Sequence, residues 1–147
     1  MRGAWRRQRE KGASAVEFAL AMPIFFIIVF GIFEFGLAFW YQQELTSAVR
    51  EGARKGVTTT ARSNGWTADQ IMQYTKDYMT NVGMTSGSRT VTCTNNCPCT
   101  ASGNTLTITA TYPSDFTVIS NLTKLWWGTT GIATTRTLTA TVSMQCE

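Results

Sequence analysis

Apolar and polar residues alternate in this chain on three different spacings, and each spacing predicts a different element. From Ala13 to Trp40 the apolar run is almost unbroken, interrupted mainly by Glu17 and Glu34. As a helix, Phe18 to Trp40 rises roughly 34 Å, enough to cross a hydrocarbon core of about 30 Å. Trp40 and Tyr41 close the run with rings that favour a membrane interface. A secretory signal would instead carry an apolar stretch of about 7–15 residues and then a small-residue cleavage site. The longer run, ending in aromatic rings, predicts a single transmembrane helix. Within it Pro23 removes one backbone donor and can kink the helix, while Gly31 and Gly36 let another helix approach closely. Glu34, near the far end of the span, is read either as solvated close to the headgroups or as an intramembrane contact.

Past Trp40 the helical pattern continues but turns polar. In YQQELTSAVREGARK, residues 41–55, Leu45, Ala48, Val49 and Ala53 give a thin apolar stripe. Glu51 and Lys55 are spaced for an i,i+4 pair, and Arg54-Lys55 suits a helix C-terminus before Gly56. One helix is expected from about Ala13 to Lys55, then a polar loop over Val57–Trp66. Thr67-Ala68-Asp69-Gln70 reads as a capping box. It opens a helix over about 68–82 with Ile71, Tyr74, Tyr78 and Val82 on its core face and Gly83 at its end. Three segments then alternate with period two: 89–94, 105–112 and 135–144. Their apolar positions (Val91 and Cys93; Leu106, Ile108, Ala110 and Tyr112; Leu138, Ala140, Val142 and Met144) are separated by threonines and a serine. That is the signature of half-buried antiparallel strands, apolar inward and threonine outward. Between the last two strands, Phe116–Trp127 is compatible with a short helix carrying Val118, Ile119, Leu122, Leu125 and Trp126. The predicted class is α+β, membrane-anchored: a long transmembrane-plus-periplasmic helix, further short helices, and an antiparallel sheet of three or more strands.

Charge changes the picture only once it is located. The formal net charge is +4, yet Arg2, Arg6, Arg7, Arg9 and Lys11 precede the span with Glu10 the single acid among them. After Gly12 cations and acids balance, so no basic patch remains to hold phosphates, and nucleic acid is excluded as a partner. The basic leader instead keeps the short N-terminus cytoplasmic and sends the rest of the chain across the membrane. There is no histidine, which removes the commonest general base and metal ligand. Nor is there a glycine-rich phosphate loop. An enzyme, a cofactor and a small-molecule substrate are therefore not expected. Asn121-Leu122-Thr123 matches the glycosylation acceptor pattern, which matters only on a eukaryotic secretory route.

Four cysteines stand at Cys93, Cys97, Cys99 and Cys146. On the far side of a membrane they imply two disulfides before a metal site or a redox pair. A zinc reading would use all four thiols, and a redox reading would use Cys97-Pro98-Cys99. Joining Cys97 to Cys99 across one residue is the most strained pairing. Cys146 is thus expected to pair with Cys97 or Cys99, and the remaining one with Cys93. Either choice ties the last strand to the Asn95–Gly103 loop.

Glu17 asks for its own reason, because a carboxylate at the head of a membrane helix needs a partner or a task. Gly12, four residues, then Glu17-Phe18, behind a basic leader and before an apolar helix, resembles the prepilin-peptidase signature of type IV pilins and their tight-adherence (Tad) relatives. ASAVEFAL, FGIFEFG and AVREGAR, in that order, resemble the N-terminal signature of TadE-like proteins, and the C-terminal LTATVSMQCE resembles the way such chains end. The resemblance implies cleavage between Gly12 and Ala13, and a Glu17 that neutralises the α-amine of a neighbouring subunit, with Phe18 beside it. It divides the chain into a leader (1–12), a transmembrane helix (13–40), its periplasmic extension (41–56) and an extracytoplasmic head (57–147). It further implies a minor pilin or pseudopilin of the inner membrane. Its partners would be the lipid bilayer, prepilin peptidase, other Tad pilins and the inner-membrane assembly platform. A second reading makes the head a surface-binding adhesin module presenting Trp66 or Trp126-Trp127.

Overall fold

The computed structural model describes residues 3–85, 88–115, 118, 120, 121, 124, 128 and 135–147, with side chains described from residue 12 onward apart from those of Arg62 and Thr135. Helix α1 runs Gly3–Val57, passing through Pro23, and is followed by α2 (Thr59–Ser63) and α3 (Ala68–Asn81). Strands β1 (Thr90–Thr94), β2 (Thr105–Asp115) and β3 (Thr135–Gln145) form an antiparallel sheet in the order β1-β2-β3. This is the expected α+β class, a long N-terminal apolar helix with short helices and a three-stranded sheet. The chain divides into two units, one of Met1–Gly36 with Phe116–Thr134 and the other of Leu37–Asp115 with Thr135–Glu147.

The second unit is the head. Its core is built where the thin stripe of α1 meets α3 and one face of the sheet: Leu45, Val49, Ile71, Met79, Leu106 and Ile108 are all buried. Each such side chain contributes about 1.5–3 kcal/mol relative to leaving it in water. The register places Val91 opposite Ala110, and Ala110 opposite Ala140, so the inward residues of all three strands share one face. The outward face is a lattice of hydroxyls. Thr109 and Thr141 are 3.0 Å apart at their Oγ1 atoms, Thr107 and Ser143 2.9 Å, and Thr90 meets Thr111 in the same way. Strand β2 runs three residues past its expected end at Tyr112. Pro113 does not stop it, because β1 pairing ends at Thr111 and the missing donor falls where β2 has only β3 beside it.

Two local expectations shift. The loop after α1 contains the short α2, whose entry Thr58 Oγ1 caps by accepting from the Ala61 N–H. In α3 the capping box is complete, Thr67 Oγ1 accepting from Gln70 N–H and Gln70 Oε1 from Thr67 N–H. The face that is fully buried, however, is Ile71, Thr75 and Met79, with Tyr74, Tyr78 and Val82 at its margin. Thr75 enters the core because its hydroxyl donates to the Ile71 carbonyl one turn back, 2.9 Å away, while the tyrosine hydroxyls need outside partners. Gly83, at φ +87°, ends the helix: its N–H donates to Thr80 O and that of Met84 to Met79 O, placing buried Met84 on Met79's side.

Candidate processing and assembly site

Gly12, Ala13, Glu17 and Phe18 lie on successive turns of α1 in the first unit, all exposed. The helix was expected to begin at Ala13; it begins at Gly3. The leader holds Ala4, Gln8, Glu10 and several arginines, all good helix formers, and no proline to stop them. Ala13 and Glu17 are four residues apart, hence on one face and one turn from each other. A Cβ built on Gly12 would meet nothing within 4 Å, and the same holds at Gly31 and Gly36. No close approach within the described chain therefore calls for glycine at these three positions.

The apolar surface of the span is likewise not used by the chain itself. Phe18, Leu20, Ile24, Phe25, Ile32 and Phe33 are all more than half exposed. The helix is long and apolar enough to cross a membrane, none of its most apolar window is buried, and it fits a single-pass anchor. Glu34 is different. Its Oε1 accepts a hydrogen bond from the backbone N–H of Val118, 2.5 Å away, in the segment between β2 and β3. Of that segment Val118, Ser120, Asn121 and Lys124 are helical, as expected; Ile119, Leu122, Leu125 and the Trp126-Trp127 pair lie outside the described residues. Nothing local in the sequence announces the Glu34 partner, which is 84 residues away.

At the head end of α1 the AVREGAR block does structural work residue by residue. Gly52 and Gly56 follow Ala48 at intervals of four, a small-residue stripe that admits the rest of the core. A Cβ on Gly52 would collide with Thr75 Oγ1, and one on Gly56 would come 2.9 Å from Leu106 Cδ1. The signal for the stripe in the sequence is the four-residue spacing of Ala48, Gly52 and Gly56. Glu51 pairs with Arg54 (Nη2 to Oε1 2.8 Å, Nε to Oε2 2.9 Å) instead of the expected Lys55, because the guanidinium fork engages both oxygens at once. Lys55 Nζ sits 5.5 Å over the Tyr74 ring, whose hydroxyl donates to Glu51 Oε1 at 3.2 Å. Arg54's hydrogen bonds hold the Glu51 carboxyl below its ordinary range, and burial beside that carboxylate pushes the Tyr74 hydroxyl up. Trp66, read as a presented ring, is half-buried and packs edge-on to Tyr74, ring centroids 6.1 Å apart.

The four cysteines form two bridges, Cys93–Cys97 and Cys99–Cys146, with Cα–Cα distances of 5.9 and 5.7 Å. Of the two pairings left open, the structure takes the one that ties Cys99 to the chain's end. Cys99 and Cys146 are buried, and the Cys146 N–H donates to Asn104 O while its carbonyl accepts from Gly103 N–H. All four sulfurs are committed, which leaves no thiolate for zinc.

These features describe a membrane-anchored α+β protein with a pilin-like long helix. The TadE-like protein family model matches residues 12–54, the stretch from the glycine before the span to the arginine that pairs with Glu51. The resemblance carried by the three short blocks thus holds along that segment, and it connects the chain to components of the Tad pilus. Among curated proteins and among solved structures, none matches.

Proposed function

We propose that this chain is a minor pilin or pseudopilin of a Tad pilus, a structural component rather than an enzyme. It is inserted with its N-terminus in the cytoplasm and its head in the periplasm or at the pilus. Prepilin peptidase removes the leader between Gly12 and Ala13, and the new α-amine is neutralised by Glu17 of a neighbouring subunit. The exposed span then packs against other pilins and the inner-membrane platform. One observation carries this reading. The family match runs from Gly12 to Arg54, and within it Gly52 at the head end is demanded by core packing while Gly12 is not. A glycine at position 12 that the fold does not require suits a peptidase that needs a small residue before the bond it cuts.

The test is the mature N-terminus by intact mass, in cells with and without prepilin peptidase. The expected product begins at Ala13 only when the peptidase is present. Gly12→Leu should keep all twelve leader residues while the head remains folded. A product lacking them from the Gly12→Leu chain would remove the processing assignment.

A further inference from the structure

Within the head, α1 and β2 run side by side in opposite directions. The Tyr41 and Tyr112 rings are 5.4 Å apart, a Cβ on Gly52 would lie 3.4 Å from Ile108 Cδ1, and one on Gly56 2.9 Å from Leu106 Cδ1. Tyr41 to Gly56 rises roughly 22 Å along a helix, and Tyr112 to Leu106 roughly 20 Å along a strand. The lengths agree, so β2 lies close to the direction of the helix axis. Strand β3 follows it in register, with Gln42 Nε2 donating to Thr139 O near one end and the Glu147 N–H to Val57 O at the other.

The ladder continues past the level of Tyr41. Beyond Tyr112 and Leu138, β2 and β3 stay paired through Ser114 with Arg136 to Asp115 with Thr135. That adds roughly 10 Å in the direction of the span. The head unit correspondingly begins at Leu37, a turn before Tyr41. Over this stretch the inward face of the sheet changes character. Alternation gives it Leu106, Ile108, Ala110 and Tyr112 on β2 and Leu138 and Ala140 on β3, but the next inward positions toward the span are Ser114 and Arg136. Asp115, Arg136 and Thr137 are exposed, and among the described residues Arg136 forms no ion pair.

A guanidinium and a carboxylate at this level limit how far hydrocarbon can rise along α1, because either is costly in an acyl layer. The hydrocarbon therefore ends on the N-terminal side of Leu37 and not at Trp40. Enough helix remains to cross it, since Ala13 to Phe33 rises roughly 30 Å, the thickness of the core. From Glu34 to Trp40 the helix rises roughly 9 Å more, close to the depth of a headgroup layer. Phe35, Phe39 and Trp40, all exposed, are rings suited to that layer.

The geometry points to the span-side end of the β2–β3 ladder as a lipid-headgroup site, seated among the phosphates of the leaflet beside the head, with Arg136 holding one of them. Its guanidinium presents a fork of donors that matches two phosphate oxygens. Its aliphatic stem lets the charge reach the headgroups from a position close to acyl chains. The occupant is lipid because the helix that carries this end of the sheet enters the bilayer within a few residues of it.

The inference rests on α1 crossing the bilayer and not on the pilus role. Its test uses the full chain in vesicles of phosphatidylethanolamine and phosphatidylglycerol containing a lipid with nickel chelated at its headgroup. A nitroxide is placed on Phe25→Cys, Thr137→Cys or Ser143→Cys, with the native bridges kept oxidised. Collisions with headgroup nickel should be several-fold more frequent at Thr137 than at Ser143, which lies roughly 20 Å farther along β3. Adding Arg136→Gln should lower the Thr137 rate toward that of Ser143, and Arg136→Lys, which keeps the charge, should retain most of it. Inorganic phosphate in the buffer should leave the Thr137 rate unchanged. Equal rates at Thr137 and Ser143, or a Thr137 rate indifferent to Arg136→Gln, overturns the headgroup site while the Phe25 label stays shielded from a soluble nickel chelate. A Thr137 rate lowered by inorganic phosphate assigns Arg136 to a free anion and overturns the lipid as occupant. A Phe25 label open to the soluble chelate overturns the span and the site together.

Discussion

At Gly52 a single hydrogen atom decides how closely α1 and α3 approach. A methyl there meets Thr75 Oγ1 and comes within 3.3 Å of Thr75 Cβ and 3.4 Å of Ile108 Cδ1. Thr75 cannot turn its hydroxyl away freely, since it donates to Ile71 O and sits fully buried. Two effects oppose each other in Gly52→Ala: alanine favours a helix interior by about 1 kcal/mol, while overpacking a core costs about 1–3 kcal/mol. With backbone and core on both sides of the clash, overpacking wins. The head should lose up to about 2 kcal/mol net, read as a lower denaturation midpoint at unchanged slope. Gly31→Ala, where the new Cβ meets nothing, is the control and should leave that midpoint in place. Equal midpoints for both variants would show that the α1–α3 contact is looser than described. Glu51 makes the same point about residues: its spacing suits Lys55, and only the tertiary placement of Tyr74 shows why Arg54 takes the carboxylate and Lys55 the ring.

Elements with a strong period were legible and their phase was less so. The strands announce themselves because a period of two forces every apolar residue to one face: β2 buries Leu106, Ile108, Ala110 and Tyr112, and β3 buries Leu138 and Ala140 with Val142 and Met144 partly buried beside them. Helix α3 was placed within a residue of its ends by its capping box and Gly83, yet its buried face turned out one position away. A threonine that satisfies its own hydroxyl looks polar in sequence and behaves as core. The Glu34–Val118 contact was not legible at all, because a backbone donor carries no residue type. The two bridges act on elements unequally. Cys99–Cys146 spans 47 residues and Cys93–Cys97 four. By loop-closure entropy the long bridge contributes about 4 kcal/mol and the short one about 2. The long one is also the buried one, and it pins β3 through the backbone bonds of Cys146 to Gly103 and Asn104. Cys146→Ser should therefore lower the stability of the head by about 2 kcal/mol more than Cys93→Ser does. Urea titration of both variants under oxidising conditions checks the order, and a larger loss for Cys93→Ser would contradict it.

For the molecule as a whole, the division of the chain separates what the folding of the head uses from what it leaves exposed. Among the described residues, the core of the head draws its buried α1 side chains from Leu45 onward, with Tyr41 packed at its edge, together with α3 and the sheet. Among the described residues, none before Gly36 is in the buried set, and most of the large apolar side chains of the span stand exposed. Glu17 belongs to this second population: exposed, one turn after Ala13, and outside every core contact of the described residues. Its carboxylate opposes insertion, since an acid at a helix head costs free energy in lipid. Replacing it should make insertion easier and leave the head unchanged. Glu17→Leu is accordingly expected to fractionate with the membrane at the wild-type level and to keep its denaturation midpoint. What it should lose is entry into the pilus, because an α-amine brought into the bilayer by a neighbour would find no counter-charge. Glu17→Asp, which retains the charge one methylene shorter, should recover part of it. Sheared-pilus yield, membrane fraction and head stability measured on the same three chains separate the possibilities. Normal piliation by Glu17→Leu would show that the acid serves no subunit contact. A fall in membrane fraction or in head stability would instead assign Glu17 to insertion or folding.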